Sequence, residues 1–162
     1  MKTHISPLKK LVLFLLLTFS LGASQAQDNQ TSVKDAVAAK QFVFQVNTVL
    51  PTSGRVRQVG SDEYQVRVSG DSLVSDLPYF GRAYSAPLKS EGGLHFTSTK
   101  FEYSVSDKKK GGWDILIRPK DNSDVREFSL TVSDNGFATL RALSNNRQPI
   151  SYNGVVKAVT KG

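Results

Sequence analysis

The sequence contains no cysteine, which excludes disulfides, thiolate metal sites, a cysteine nucleophile and a lipid-modified N-terminal cysteine. Histidine is nearly as scarce. Of the two in the chain, His4 falls in an N-terminal leader and only His95 remains in the body of the protein. One imidazole without thiolates offers no cluster with metal-ligand spacing, so no metal is expected. A Ser-His-Asp triad would have to be built around His95, and no Gly-x-Ser-x-Gly elbow is present. His95, between Leu94 and Phe96, reads as an outward or rim residue. Asp121, Asn122 and Asp124 lack the glycine and bidentate glutamate of an EF-hand loop and read as turn formers. Paired carboxylates for glycosidic chemistry are the one arrangement left open, because the separation that matters there is spatial. The expectation is no cofactor and no enzyme.

Long hydrophobic runs are absent, with one exception. Leu11 to Leu21 is almost unbroken apolar sequence, preceded by Lys2, Lys9 and Lys10 and followed by the small residues around Ser24-Gln25-Ala26. That order is a secretory signal peptide over residues 1–26, too short to span a bilayer comfortably. Its removal leaves one domain, 27–162, periplasmic or secreted, with no transmembrane segment. Cleavage takes 26 of the 162 residues and three lysines, so 136 residues remain and the formal charge falls from +7 to +4. The remaining cluster, Lys108-Lys109-Lys110 beside Gly111-Gly112, reads as a solvated hairpin tip, and a nucleic-acid partner is disfavoured.

What the chain does contain is alternation. Ser32 to Lys40 predicts a short helix with Ser32 as N-cap, Asp35 as capping-box carboxylate and Val33 and Val37 on one stripe. From Phe42 the apolar period becomes two. The predicted inward set is Phe42, Phe44, Val46, Tyr64, Val66, Val68, Phe101, Tyr103, Val105, Trp113, Ile115, Ile117, Phe128, Leu130, Val132, Leu140, Ile150 and Tyr152. Arg55 to Val59 is a weaker strand, and Gly70-Asp71 suits a two-residue hairpin loop. Asn135-Gly136 predicts a type I′ turn with both residues left-handed. Leu94 and Phe96 have the opposite parity to Phe101 and Tyr103, which predicts a β-bulge or short break at Thr99-Lys100. Eight or nine strands joined by short turns make an all-β antiparallel meander, either two packed sheets or an up-and-down barrel, closed or half-open.

One stretch exceeds what a strand or linker requires. Leu77 to Pro87 crowds Tyr79, Phe80, Tyr84, Gly81, Arg82 and two prolines together. As a site, Tyr79, Arg82 and Tyr84 would line a rim, the guanidinium donating in a fork and the tyrosines offering stacking faces. Arg147, in Asn145-Asn146-Arg147-Gln148, would supply a second lip. As structure, Pro78 and Pro87 would bound a rigid crossover whose aromatics plug one end of the β layer.

Ser69 to Tyr84, Leu94-His95-Phe96 and Ser144 to Gly154 together resemble the secreted Bacteroidetes family labelled domain of unknown function 4251. The resemblance covers nearly all of the mature chain. It implies an all-β, lipocalin-like arrangement and no established activity, and Asp71-Ser72-Leu73 would fit an O-glycosylation acceptor of such envelopes. The expected role is binding of a small apolar or amphiphilic ligand, or of an envelope component, near Tyr79, Arg82 and Tyr84. The alternative is a structural or protein-interaction module of the envelope, with edge strands as its contact surface. A hydrolase using carboxylates that the sequence cannot pair stands third.

Overall fold

The computed structural model describes residues 33–60, 62–84 and 92–159. The leader, Ser32 and Pro87 lie outside them. Among the described residues one helical segment, α1 (33–38), buries Val33, Ala36 and Val37 and ends at Lys40, whose φ of 54° gives the chain the left-handed turn that closes a helix.

Ten strands follow. They are β1 (Gln41–Pro51), β2 (Arg57–Gln58), β3 (Gln65–Ser69), β4 (Ser72–Pro78), β5 (Gly93–Ser98), β6 (Phe101–Asp107), β7 (Trp113–Pro119), β8 (Val125–Val132), β9 (Phe137–Ser144) and β10 (Ile150–Ala158). β2 is an exposed two-residue ladder on β1, the remnant of the weak strand expected over 55–59. The others lie in the order β5-β4-β3-β1-β10-β9-β8-β7-β6, every pair antiparallel. This is an up-and-down meander whose first and last long strands, β1 and β10, pair with each other, as an almost closed barrel requires.

The remaining seam lies between β5 and β6. β5 pairs with β4 and β6 pairs with β7, yet only Thr99 and Lys100 separate them in sequence. One continuous piece of chain therefore passes from one edge of the sheet to the other, and covalent continuity completes the ring. The break coincides with the change of parity, since Leu94 and Ser98 face inward before it, whereas Phe101 and Tyr103 do so after it. Asp121 pins the crossing. Its carboxylate accepts from the Ser98 hydroxyl and, at 3.0 Å, from the Thr99 amide, while Lys120 N donates to Lys100 O at 2.7 Å. The Ser98 hydroxyl, followed by the Thr99 amide, holds the Asp121 carboxyl below its usual range.

The alternating residues fill the interior. Phe42, Phe44, Phe128 and Tyr152 are wholly buried, and so are Ile117, Leu140, Leu73 and Leu77. Each such side chain contributes about 1.5–3 kcal/mol of burial. Val105 departs from the expectation. β6 runs outward beyond Tyr103, whose hydroxyl donates to Val37 O at 2.8 Å, and leaves Val105 40% exposed.

The 133–137 hairpin also differs from the type I′ expectation. Gly136 has φ +84° but Asn135 is not left-handed. Gly136 N bonds to Ser133 O at 2.8 Å and Ser133 N to Phe137 O at 2.8 Å, the pattern of a three-residue loop ending in a glycine bulge. Asn135 serves through its side chain, which accepts from the Ser133 hydroxyl and the Phe137 amide. At the other hairpin Gly70, with φ +60°, supplies the turn the sequence predicted.

Candidate functional site

Where β4 ends, the chain folds across the mouth of the barrel. Pro78 O accepts the hydroxyl of Tyr152 at 2.7 Å, and burial pushes that phenol well above its ordinary range. Tyr79 turns under the following strap. Its hydroxyl lies 2.9 Å from Arg82 O and 3.0 Å from Gln148 O and shares one proton between them. The strap then pairs with the β9–β10 connection. Gln148 N donates to Arg82 O at 3.0 Å, Tyr84 N donates to Asn146 O at 2.7 Å, and Ala83 bridges Arg147 antiparallel.

Arg147 is the peg of this assembly. Its side chain is 3% exposed, with the guanidinium 5.0 Å above the Tyr79 ring centroid and Nε 3.1 Å from Asp124 Oδ2. Burial raises the Tyr79 hydroxyl pKa, and the nearby Arg147 charge opposes the rise. Asp124 is placed by its own turn. The Asn122 carboxamide oxygen accepts from Asp124 N at 2.9 Å and from Val125 N at 2.7 Å, and Asp124 O accepts from Asn145 N at 2.9 Å. Asn122 is thus the turn former its residue type suggests, whereas the carboxylates of Asp121 and Asp124 hold partners distant in sequence.

The four residues singled out in the sequence therefore divide by depth. Tyr79 and Arg147 form the underside of the strap and plug the barrel end. Arg82 and Tyr84 lie on its outer surface, Tyr84 at 71% exposure. Phe80 joins them, and the Arg57 guanidinium stacks 4.4 Å from its ring centroid. Val56 beside Arg57 is also exposed. The loop carrying these residues is tied back by the Thr52 hydroxyl, which donates to Pro149 O, and by Ser53 Oγ, 3.3 Å from Gln148 Oε1. Nothing local marks Arg57 in the sequence, because the weak strand expected over 55–59 has no aromatic residue beside it. The outer surface of the mouth thus presents two guanidinium groups, two aromatic rings and an aliphatic side chain.

His95 lies on β5 opposite Asp76, two residues before the Pro78 end of β4, and belongs to the wall and not to the strap. It projects from the outer wall with Nδ1 2.5 Å from Asp76 Oδ1, both side chains about half exposed. Ser75, adjacent to Asp76, points inward and donates to Leu94 O at 2.7 Å, so its hydroxyl is not presented to the imidazole. In the Asp71-Ser72-Leu73 segment, Asp71 occupies the exposed hairpin tip, Ser72 is half-buried and Leu73 is in the core.

A crystal structure of a DUF4251 family protein from Bacteroides eggerthii superposes with a TM-score of 0.61 over 80% of this chain and 87% of that one, at 20% sequence identity. Comparison with curated proteins finds no match. The likeness at that identity is one of fold. The sequence profile of the family described as a domain of unknown function, DUF4251, matches residues 24–156, from before α1 into β10. That span includes the strap, its Arg147 peg and the β1–β10 closure, and the chain belongs to the DUF4251 family.

Proposed function

We propose that the protein is an exported, non-enzymatic barrel whose plugged end binds the headgroup of an anionic amphiphile of the cell envelope. Export rests on the leader sequence. The observation that carries the binding site is the Arg57–Phe80 stack beside Arg82 and Tyr84, held on a strap whose underside is fixed by Tyr79, Arg147 and Asp124. Guanidinium groups present forked donors to phosphate or carboxylate, and the flanking rings offer an apolar body with, in tyrosine, a polar tip. Side chains at or near zero exposure fill the interior, so an acyl chain has its contact surface at the mouth. The non-enzymatic reading is inferred from His95, which faces solvent with the Asp76 carboxylate as partner and, among the described residues, without a nucleophile bonded to it.

Flotation with phosphatidylglycerol vesicles tests this reading. Each arginine beside an anionic surface is worth about 1 kcal/mol, so the double variant Arg57→Gln/Arg82→Gln is expected to bind roughly thirtyfold more weakly. Phosphatidylcholine vesicles are expected to retain neither protein. Equal retention of wild type and variant, or equal binding to both lipids, would refute the assignment.

A further inference from the structure

On the outer wall, away from the plugged end, four strands enclose a depression of about 470 Å³ lined from β1, β10, β9 and β8, among others by Asn47, Thr48, Asn153, Thr139, Thr131 and Phe137. Its size is that of a small-molecule site. Two local irregularities accompany it. β1 carries a bulge between Val46 and Thr48, so that Asn47 is an extra residue opposite β10, and Asn47 O is fixed by the amide of Val59 at 3.0 Å. Across from it stands Gly154, where a Cβ would lie 1.9 Å from Gln45 O, so the two backbones approach more closely than any side chain permits. A bulge opposite a glycine deepens and twists an otherwise regular sheet face, and bulges of this kind re-aim side chains at binding sites.

The chemistry of the lining is narrow. It holds two carboxamides and several hydroxyls, no lysine, arginine, aspartate or glutamate, and one aromatic ring, Phe137, which is 61% exposed. Neutral lining disfavours phosphate, carboxylate and nucleic-acid ligands. Carboxamides supply a donor and an acceptor side by side, which matches adjacent hydroxyls on a ring. The groups are also pre-positioned. Thr139 Oγ1 donates to Asn153 Oδ1 at 2.9 Å, which leaves the Asn153 NH2 to donate outward, and Thr131 is oriented by Asp114 Oδ1 at 2.7 Å. An open depression with an exposed ring at one side and neutral hydrogen-bonding groups across its floor suits the two surfaces of a sugar, whose C–H face stacks on an aromatic while its hydroxyls face polar side chains.

We infer that the β8-β9-β10-β1 face is a binding site for a neutral saccharide, with Phe137 as the stacking residue and Asn47, Thr139 and Asn153 as hydrogen-bonding residues. This site is independent of the one at the plugged end.

Amide and side-chain NMR shifts during titration with maltotriose, cellotriose and triacetylchitotriose provide the test. At least one trisaccharide is expected to give saturable shifts centred on Asn47, Thr139 and Asn153, with a dissociation constant on the order of 1 mM. Phe137→Ala is expected to weaken binding about tenfold while leaving the melting temperature unchanged, because the ring is mostly in solvent. Thr139→Val, which preserves shape, is expected to weaken it as well. The inference is overturned if none of the three sugars shifts these residues up to about 10 mM. It is also overturned if Phe137→Ala binds as well as wild type, or if a neutral Gly-Ser-Gly peptide produces the same shifts.

Discussion

Replacing Arg147 with alanine is expected to lower the unfolding free energy by about 3 kcal/mol, the lower end of what breaking a buried ion pair costs. The guanidinium is withdrawn from water at 3% exposure, reaches Asp124 with Nε and covers the Tyr79 ring. Its removal leaves the Asp124 carboxylate without its counter-charge, and Asp124 Oδ1 is already buried with no hydrogen-bond partner among the described residues. It also leaves a void beside Tyr79 at the point where the strap meets the β9–β10 connection. Arg147→Lys is not expected to rescue, since an ammonium has neither the fork nor the flat face that stacks on a phenol. Denaturant unfolding measures the loss, which corresponds to a fall of roughly 10 °C in melting temperature. Coupling to Asp124 is expected as well, so Arg147→Ala combined with Asp124→Asn should cost less than the sum of the two single changes.

A single methyl group at position 154 is expected to be as damaging. In Gly154→Ala the new Cβ would lie 1.9 Å from Gln45 O, 2.9 Å from the Gln45 carbonyl carbon and 3.0 Å from Phe44 Cε2. Gln45 O is backbone within the pair of strands that closes the barrel, so it cannot rotate aside as a flexible side chain would. Relief requires β1 and β10 to separate locally, with loss of their ladder near the bulge. A cost of roughly 3 kcal/mol follows, well above the usual range for a surface change. Gly60→Ala is the control. Its nearest neighbour would be Glu63 Oε2 at 3.7 Å, and its melting temperature is expected to match wild type within about 2 °C.

The alternation of Trp113, Ile115 and Ile117, or of Phe128, Leu130 and Val132, was sufficient to place each strand and its inward face, because a period of two leaves one solution where one side is buried. The parity change at Thr99-Lys100 was equally legible, since Leu94 and Phe101 cannot share a face without an interruption. The pairing of β1 with β10 was not. It joins residues 99 to 116 positions apart, and no local pattern encodes the partner of a strand. Gly154 in the middle of a strand was the available signal of a close backbone approach. The type I′ turn expected at Asn135-Gly136 does not form because the pair also suits a glycine-bulge loop, and the side-chain bonds of Asn135 decide between the two. Within Tyr79 to Tyr84, composition marked the segment, but only the positions of Arg147 and Asp124 show which rings face inward and which face solvent.

All these features depend on a ring of strands whose inside, among the described residues, is occupied by its own buried side chains. Titration with the neutral apolar probe N-phenyl-1-naphthylamine tests that most directly. The lone tryptophan, Trp113, lies 7% exposed against the core and reports on the interior. A filled barrel predicts no stoichiometric rise in probe fluorescence and no quenching of Trp113. Saturable one-to-one binding accompanied by quenching of Trp113 would show an accessible internal cavity and contradict the account.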